Sequence, residues 1–248
     1  MTDEKTERRA RSFGASAAAY AEHRPDYPAD AIRWGLAAAS RPVRAVLDLA
    51  AGTGKLTGGL LDLGLTVTAV EPDPAMLAEL TRRFPAVPAH SGTAERIPLP
   101  AACVDAVLVG QAFHWFDQPA ALAEIARVLR PGGALVVLWN GEDASVDWVT
   151  GLVEASRTSV PHGWRGELEL PAHPAFEPAE RTVLPHALRR TVDSAVEFFA
   201  TQSRLLVAAE AERTAALARV RAYLQARHET AAEFDLPLVT TVVRAPMH

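Results

Sequence analysis

The rhythm of apolar and polar positions changes twice along the chain. Between about residues 43 and 140, short unbroken apolar runs alternate with stretches whose apolar residues recur every three or four positions. The runs at 43–49, 66–70, 87–90, 104–109 and 134–139 read as strands. Runs apolar at every position belong to strands buried on both faces, as in a parallel sheet covered by helices. The stretches at 55–63, 74–83 and 118–129 read as helices, the last two closed before Pro85 and by Pro131-Gly132-Gly133. Alternation of this kind predicts a doubly wound α/β sheet.

The flanks follow other rhythms. Residues 7–22 and 29–39 read as helices separated by Arg24-Pro25-Asp26-Tyr27-Pro28, because proline disfavours helix at the residue before it. After 140, residues 145–159 read as a helix, 161–180 as a loop, 181–191 as a strand, 192–232 as helical and 238–243 as a last strand. The expectation is one domain: 1–40 a helical lid, 41–140 the core, 141–235 a cap and 236–248 a final strand.

Composition narrows the classes. The 248 residues are 49% hydrophobic, enough for a sizeable core, and 22% charged, which excludes general disorder. A net charge of −5 argues against a surface that coats nucleic acid. The one cysteine, Cys103, permits neither an internal disulfide nor a cysteine metal cluster, and no metal is expected. No apolar run approaches the ~20 residues of a membrane helix, and the charged start lacks an apolar secretory segment. The expectation is a cytoplasmic protein, monomer or homodimer, without membrane or nucleic-acid partners.

Chemistry concentrates at the first strand–helix turn, Asp48-Leu49-Ala50-Ala51-Gly52-Thr53-Gly54-Lys55. Ligands of open α/β sheets bind at the carboxyl ends of the strands. Gly52 and Gly54 allow close backbone approach, and the next helix offers free N–H groups. Glu71 ends the second strand, where a ribose would present two hydroxyls. The phosphate-loop pattern fails, since Leu56 follows Gly54-Lys55 and Leu49 stands at the upstream glycine position. The dinucleotide fingerprint lacks its third glycine, replaced by Thr57, and Asp48 would repel a pyrophosphate. S-adenosylmethionine has no phosphate; its α-amino group and sulfonium suit Asp48. A nicotinamide oxidoreductase stays open as an alternative at this point.

VLDLAAGTGKLT, AVEPDPAML, GTAERIPLP and EIARVLRPGGALVVLWN, in that order, resemble the motifs of class I S-adenosylmethionine-dependent methyltransferases. RSFGASAAAYAEHRPDYP and QAFHWFD resemble the small-molecule trans-aconitate and ubiquinone/menaquinone-type group. Ala50 departs from the pattern, where many members carry glycine. The resemblance implies a mostly parallel seven-stranded sheet with helices on both faces. It also implies that S-adenosylmethionine is converted to S-adenosylhomocysteine as a small-molecule acceptor is methylated. Asp48 and the backbone of Ala50 and Gly52 would hold the methionine end, Glu71 would bind the ribose, and Gly54 is counted with the cofactor-binding residues. Pro72 and Met76 would pack on the adenine, and Thr93, Ala94 and Glu95 would meet its edge. Gln111 would lie beside the transferred methyl, and Tyr20, Arg24 and Tyr27 would make lid contacts. On the acceptor side, His114 is a candidate base or, preferably, part of an aromatic wall with Phe113, Trp115 and Phe116. Trp115, Trp139 and Asn140 would face the acceptor. His162, His173 and His186 have no metal spacing. The same motifs would also fit a cyclase or a cofactor-splitting enzyme, since a fold does not fix a function.

Overall fold

A computed structural model describes residues 17–160, 169–228 and 232–248. The elements are α1 (Ala17–His23), α2 (Ala29–Leu36), β1 (Ala45–Leu49), α3 (Lys55–Asp62), β2 (Thr66–Glu71), α4 (Pro74–Arg83), β3 (Ala89–Ser91) and β4 (Val104–Gly110). There follow a 3-10 turn (Phe113–Trp115), α5 (Gln118–Val128), β5 (Leu129–Glu142), α6 (Asp147–Ala155), β6 (Glu180–Arg190), α7 (Val192–Ala200), α8 (Ser203–Leu206), α9 (Glu210–His228) and β7 (Phe234–Pro246). The seven strands form one sheet in the order β3-β2-β1-β4-β5-β7-β6. β3, β2, β1, β4 and β5 pair in parallel. β7 runs against β5: the Met247 N–H donates to the Gly133 carbonyl, and the Asp143 N–H to the Pro237 carbonyl.

Burial explains the unbroken apolar runs. Val46, Val67, Ala69, Ala106, Leu108 and Val136 pack with Ile32 of α2, Leu60 of α3 and Leu80 of α4. Their alternate neighbours Leu47, Val70, Val107, Val109, Leu135 and Val137 are equally buried. Successive strand side chains point to opposite faces, so both faces of these strands are covered.

The chain divides into two compact units. One comprises the described residues of Asp26–Asn140, Glu167–Leu184 and Thr240–His248. The other comprises those of Met1–Pro25, Gly141–Gly166 and Pro185–Val239, where Leu152, Phe199, Val220, Leu224 and Leu236 share a core.

The late elements depart from the expected pattern. The expected helix over 192–232 is three helices, with Thr191 and Ser194 closing a capping box at the start of α7. α7 ends where the Thr201 hydroxyl donates to the Phe198 carbonyl and diverts the ladder. Beyond it, buried Arg204 donates to the Ser156 carbonyl and hydroxyl and to the Gln202 side chain. Apolar periodicity carries no trace of such a polar junction. β5 starts five residues before the expected run, taking Pro131-Gly132-Gly133 into the strand as a register shift opposite Val104–Ala106. β7 extends the expected 238–243 run at both ends, with Phe234, Leu236, Leu238, Thr240 and Val242 all buried.

Candidate active site

The site begins where β1 ends. Asp48 is 1% exposed and accepts a 2.6 Å hydrogen bond from the Thr57 hydroxyl on Oδ2. Its Oδ1 is buried and has no hydrogen-bond partner among the described residues. Ala50, Gly52 and Gly54 have φ of +56°, +57° and +84°, so the turn is left-handed at alternate residues. At Gly54 a side chain is excluded sterically as well, because a Cβ would stand 2.6 Å from the Phe84 ring. At Gly52 a Cβ would meet nothing within 4 Å, so the backbone faces open space.

Glu71 does more than its place at the end of β2 implied. Its Oε2 accepts from the Gly52 N–H at 2.8 Å, and its Oε1 from the Asp73 N–H at 2.9 Å. The carboxylate therefore shapes the turn itself. Each oxygen keeps one further lone pair for a ligand hydroxyl. Asp73 caps α4 by accepting from the N–H groups of Ala75 and Met76, with Pro74 opening the helix. This sequence of caps explains the Glu71-Pro72-Asp73-Pro74 run, and it buries Met76 while leaving Pro72 exposed.

Two buried acids this close are costly. Burial pushes the Asp48 carboxyl up to about 7; the Thr57 hydroxyl opposes this and the nearby Glu71 charge adds to it. Burial likewise pushes Glu71 up to about 7, against the N–H groups of Asp73 and Gly52. A cation or donor brought to them relieves that cost.

The remaining predicted residues fall in three places. Ala94 is buried beside exposed Thr93, and Glu95 accepts from the Asp117 N–H at 3.0 Å, tying its loop to the start of α5. Arg127 fastens the same loop through the carbonyls of Ile97 and Leu99. Past β4, Gln111 has φ +60°, and its Nε2 donates to the Asn140 carbonyl at 2.8 Å. The His114 ring lies 4.3 Å from Trp115 and 4.8 Å, edge-on, from Trp139. Phe113 and Phe116 contact each other at 5.7 Å. Phe113, His114, Trp115 and Phe116 follow the carboxyl end of β4, and His114 meets Trp139 within β5.

Other candidates have contacts of their own. Tyr27 is a core residue: a Cβ on Gly110 would lie 2.6 Å from its hydroxyl. Asn140, expected to face the acceptor, has both ends of its amide engaged within the fold, with Thr240 and with Asp26. Tyr20 and Arg24 belong to the other unit, where the Arg24 guanidinium lies over the Tyr20 and Phe198 rings. His173 sits 5.7 Å from Phe176, His186 is half-buried, and His162 lies outside the described residues. Apolar and motif patterns assign no site role to Thr57, Asp26, Lys55 or Thr240. Thr57 was visible only as the residue that breaks a glycine pattern.

Sheet order, antiparallel seventh strand and a glycine turn at the first strand end define a class I methyltransferase fold. The comparisons agree. A family model described as a methyltransferase domain matches residues 47–137. An uncharacterized methyltransferase of Mycobacterium tuberculosis is 43% identical over 240 residues, 95% of this chain and 96% of the relative. The chain belongs to this methyltransferase family. A demethylmenaquinone methyltransferase of Beutenbergia cavernae is 40% identical over 99 residues, 40% of this chain and 41% of that one. A solved structure from Anaeromyxobacter dehalogenans, described as a type II methyltransferase, covers 90% of this chain and 97% of its own, with a TM-score of 0.67 and 26% identity.

Proposed function

We propose that this methyltransferase uses S-adenosylmethionine and methylates a small-molecule acceptor. The observation that carries the reading is the pair of buried acids, Asp48 and Glu71, flanking a left-handed turn whose Gly52 backbone faces open space. A pyrophosphate over this turn would meet two carboxylates. A sulfonium nucleoside instead brings an ammonium group and ribose hydroxyls, and the partnerless Asp48 Oδ1 fits such a donor. The relative from Beutenbergia cavernae, whose name states demethylmenaquinone as what it methylates, supports a small acceptor.

The cofactor, when bound, supplies an electrophilic methyl carbon and its own thioether leaving group. The chain's part is to hold and align. Asp48 Oδ1 would accept from the ammonium, and the free lone pairs of Glu71 from the ribose hydroxyls. The backbone of Ala50 and Gly52 would border the methionine end, with Gln111 beside it. Met76 and Pro72 would flank the adenine, and the Ala94 N–H would meet its edge between Thr93 and Glu95. The rings of His114, Trp115 and Trp139 would wall the acceptor side and exclude water. Alignment of this kind is worth roughly 7–11 kcal/mol in favourable cases, so a catalytic base is optional. An acceptor that loses a proton on methylation would draw on His114.

Calorimetry tests the cofactor. S-adenosylmethionine is expected to bind and NAD(P) not; binding of NAD(P) alone reverses the reading. Incubating cell extracts with methyl-labelled cofactor then tests the acceptor, and label is expected in a small molecule. Cofactor consumption without a methylated product would assign a cyclase or cofactor-splitting activity instead.

A further inference from the structure

Asp26 and Tyr27 lie across the carboxyl ends of three strands. Tyr27 is buried with its ring against Gly110 at the end of β4. The Asp26 carbonyl accepts from Asn140 Nδ2 at 3.2 Å, near the end of β5. The Asp26 carboxylate stands 3.3 Å from Lys55 Nζ, and Lys55 is the first residue of α3 after the glycine turn.

Asn140 is the junction of this arrangement. Its Oδ1 accepts from the Thr240 hydroxyl at 2.6 Å, and Thr240 is fully buried on β7. The Asp26 carbonyl can only accept, so turning the amide over would set Oδ1 against it; in the orientation observed Oδ1 is left to receive the Thr240 hydroxyl. The main-chain carbonyl of Asn140 also holds Gln111, through Nε2 at 2.8 Å. Gln111 is kept at φ +60° by this bond and by its own N–H donating to the Leu138 carbonyl at 2.9 Å. Side chains avoid that backbone region, and strain of this kind persists where surrounding structure imposes it, commonly at functional sites.

We propose that Thr240 and Asn140 are positioning residues of the cofactor site, acting through Asp26 on Lys55 and through Gln111 on the strand ends. The Asp26 carbonyl selects the Nδ2 end of the Asn140 amide, and Thr240 holds the Oδ1 end in place. Asn140 then fixes the Asp26–Tyr27 arch, and the arch braces the helix whose first turn follows Gly52 and Gly54. The proposal rests on the assignment of that turn to S-adenosylmethionine.

The test is calorimetric titration of S-adenosylhomocysteine into the unaltered protein and into Thr240→Val, Thr240→Ser and Asp26→Asn, each below its melting temperature. Thr240→Val keeps the shape and removes the donor. It is expected to weaken binding about 3- to 10-fold, the worth of one buried neutral hydrogen bond. Thr240→Ser keeps the donor and is expected to restore affinity to within about 2-fold, less than the effect of losing such a bond. Asp26→Asn, at an exposed carboxylate that leaves the core untouched, is expected to weaken binding by about 2- to 5-fold, the upper range for a pair with one exposed partner. A lower melting temperature with unchanged affinity in Thr240→Val and Asp26→Asn overturns the proposal, because a merely structural role predicts that pattern. Should Thr240→Val fail to fold, Thr240→Ala removes the same donor and is read in its place, with the same outcomes. Absence of binding to the unaltered protein would remove the cofactor assignment itself, and is thereby distinguished from failure of the positioning role.

Discussion

The Thr57 hydroxyl donates to Asp48 Oδ2 across 2.6 Å inside the first turn of the sheet. The bond joins the residue that spoils a dinucleotide glycine pattern to the acid that makes the turn unsuitable for phosphate. It also opposes the upward push that burial gives the Asp48 carboxyl. Replacing Thr57 by valine removes a bond to an ionisable acceptor, worth about 1.5–3 kcal/mol. The variant is expected to bind S-adenosylmethionine more weakly and to need a higher pH to reach its full affinity. An affinity–pH curve that coincides with that of the unaltered protein would refute this.

Both acids carry a pH prediction of definite sign. Asp48 and Glu71 are raised from 3.8 and 4.5 to about 7 in the folded protein. Between those limits the fold binds more protons than the unfolded chain. These two groups therefore stabilise the unliganded protein most below about 4 and lose that contribution as pH rises through about 7. A cationic nucleoside favours the ionised acids, so its affinity runs the other way, rising with pH and levelling off above about 7. Calorimetry at pH 6 in two buffers of different ionisation enthalpy is expected to show protons released on binding.

Glu71→Gln disturbs both jobs of that side chain at once. Its carboxylate receives the N–H groups of Gly52 and Asp73, while glutamine offers one oxygen and an NH2 that donates. One of those N–H groups then faces a donor. The variant is expected to lose about 1.5–3 kcal/mol of cofactor affinity, and Glu71→Ala at least as much. Unchanged dissociation constants would remove Glu71 from the ribose site.

Ala50 sits at φ +56° in place of the glycine common in its family resemblance. The left-handed region costs a residue with a Cβ roughly 1–2 kcal/mol, part of which glycine gives back through its freer unfolded chain. Ala50→Gly is expected to raise stability by about 0.5–1 kcal/mol, with cofactor affinity retained. Ala50→Val is expected to destabilise. Urea denaturation measures both.

Asp105 anchors the opposite end of the sheet. It is buried and accepts from the N–H groups of Arg44 and Ala45 and from Arg130, with Arg41 at 3.1 Å. These partners outweigh burial and hold its carboxyl below the usual range, so its contribution to stability is lost as pH falls through that range. Asp105→Ala leaves the N–H groups of Arg44 and Ala45 without their acceptor and removes the partner of two part-exposed guanidiniums, and is expected to cost about 1–3 kcal/mol of stability. Affinity of the molecules still folded is expected to stay the same. A large affinity loss would show that the two ends of the sheet are coupled.

What was legible in the sequence was local. Unbroken apolar runs set the parallel strands, because residues buried on both faces have no polar side to show. Asp48, Gly52, Gly54 and Glu71 were legible because their order along one strand–turn–strand passage fixes their meeting. The tertiary structure alone decided that Glu71 holds the Gly52 backbone, that Tyr27 fills the space over Gly110, and that Asn140 joins Thr240 to Asp26. Those partners lie 19, 83, 100 and 114 residues apart. Residue spacing encodes periodicity over a few turns of chain, whereas hydrogen bonds and ring contacts across such separations exist only once the strands have brought their ends together.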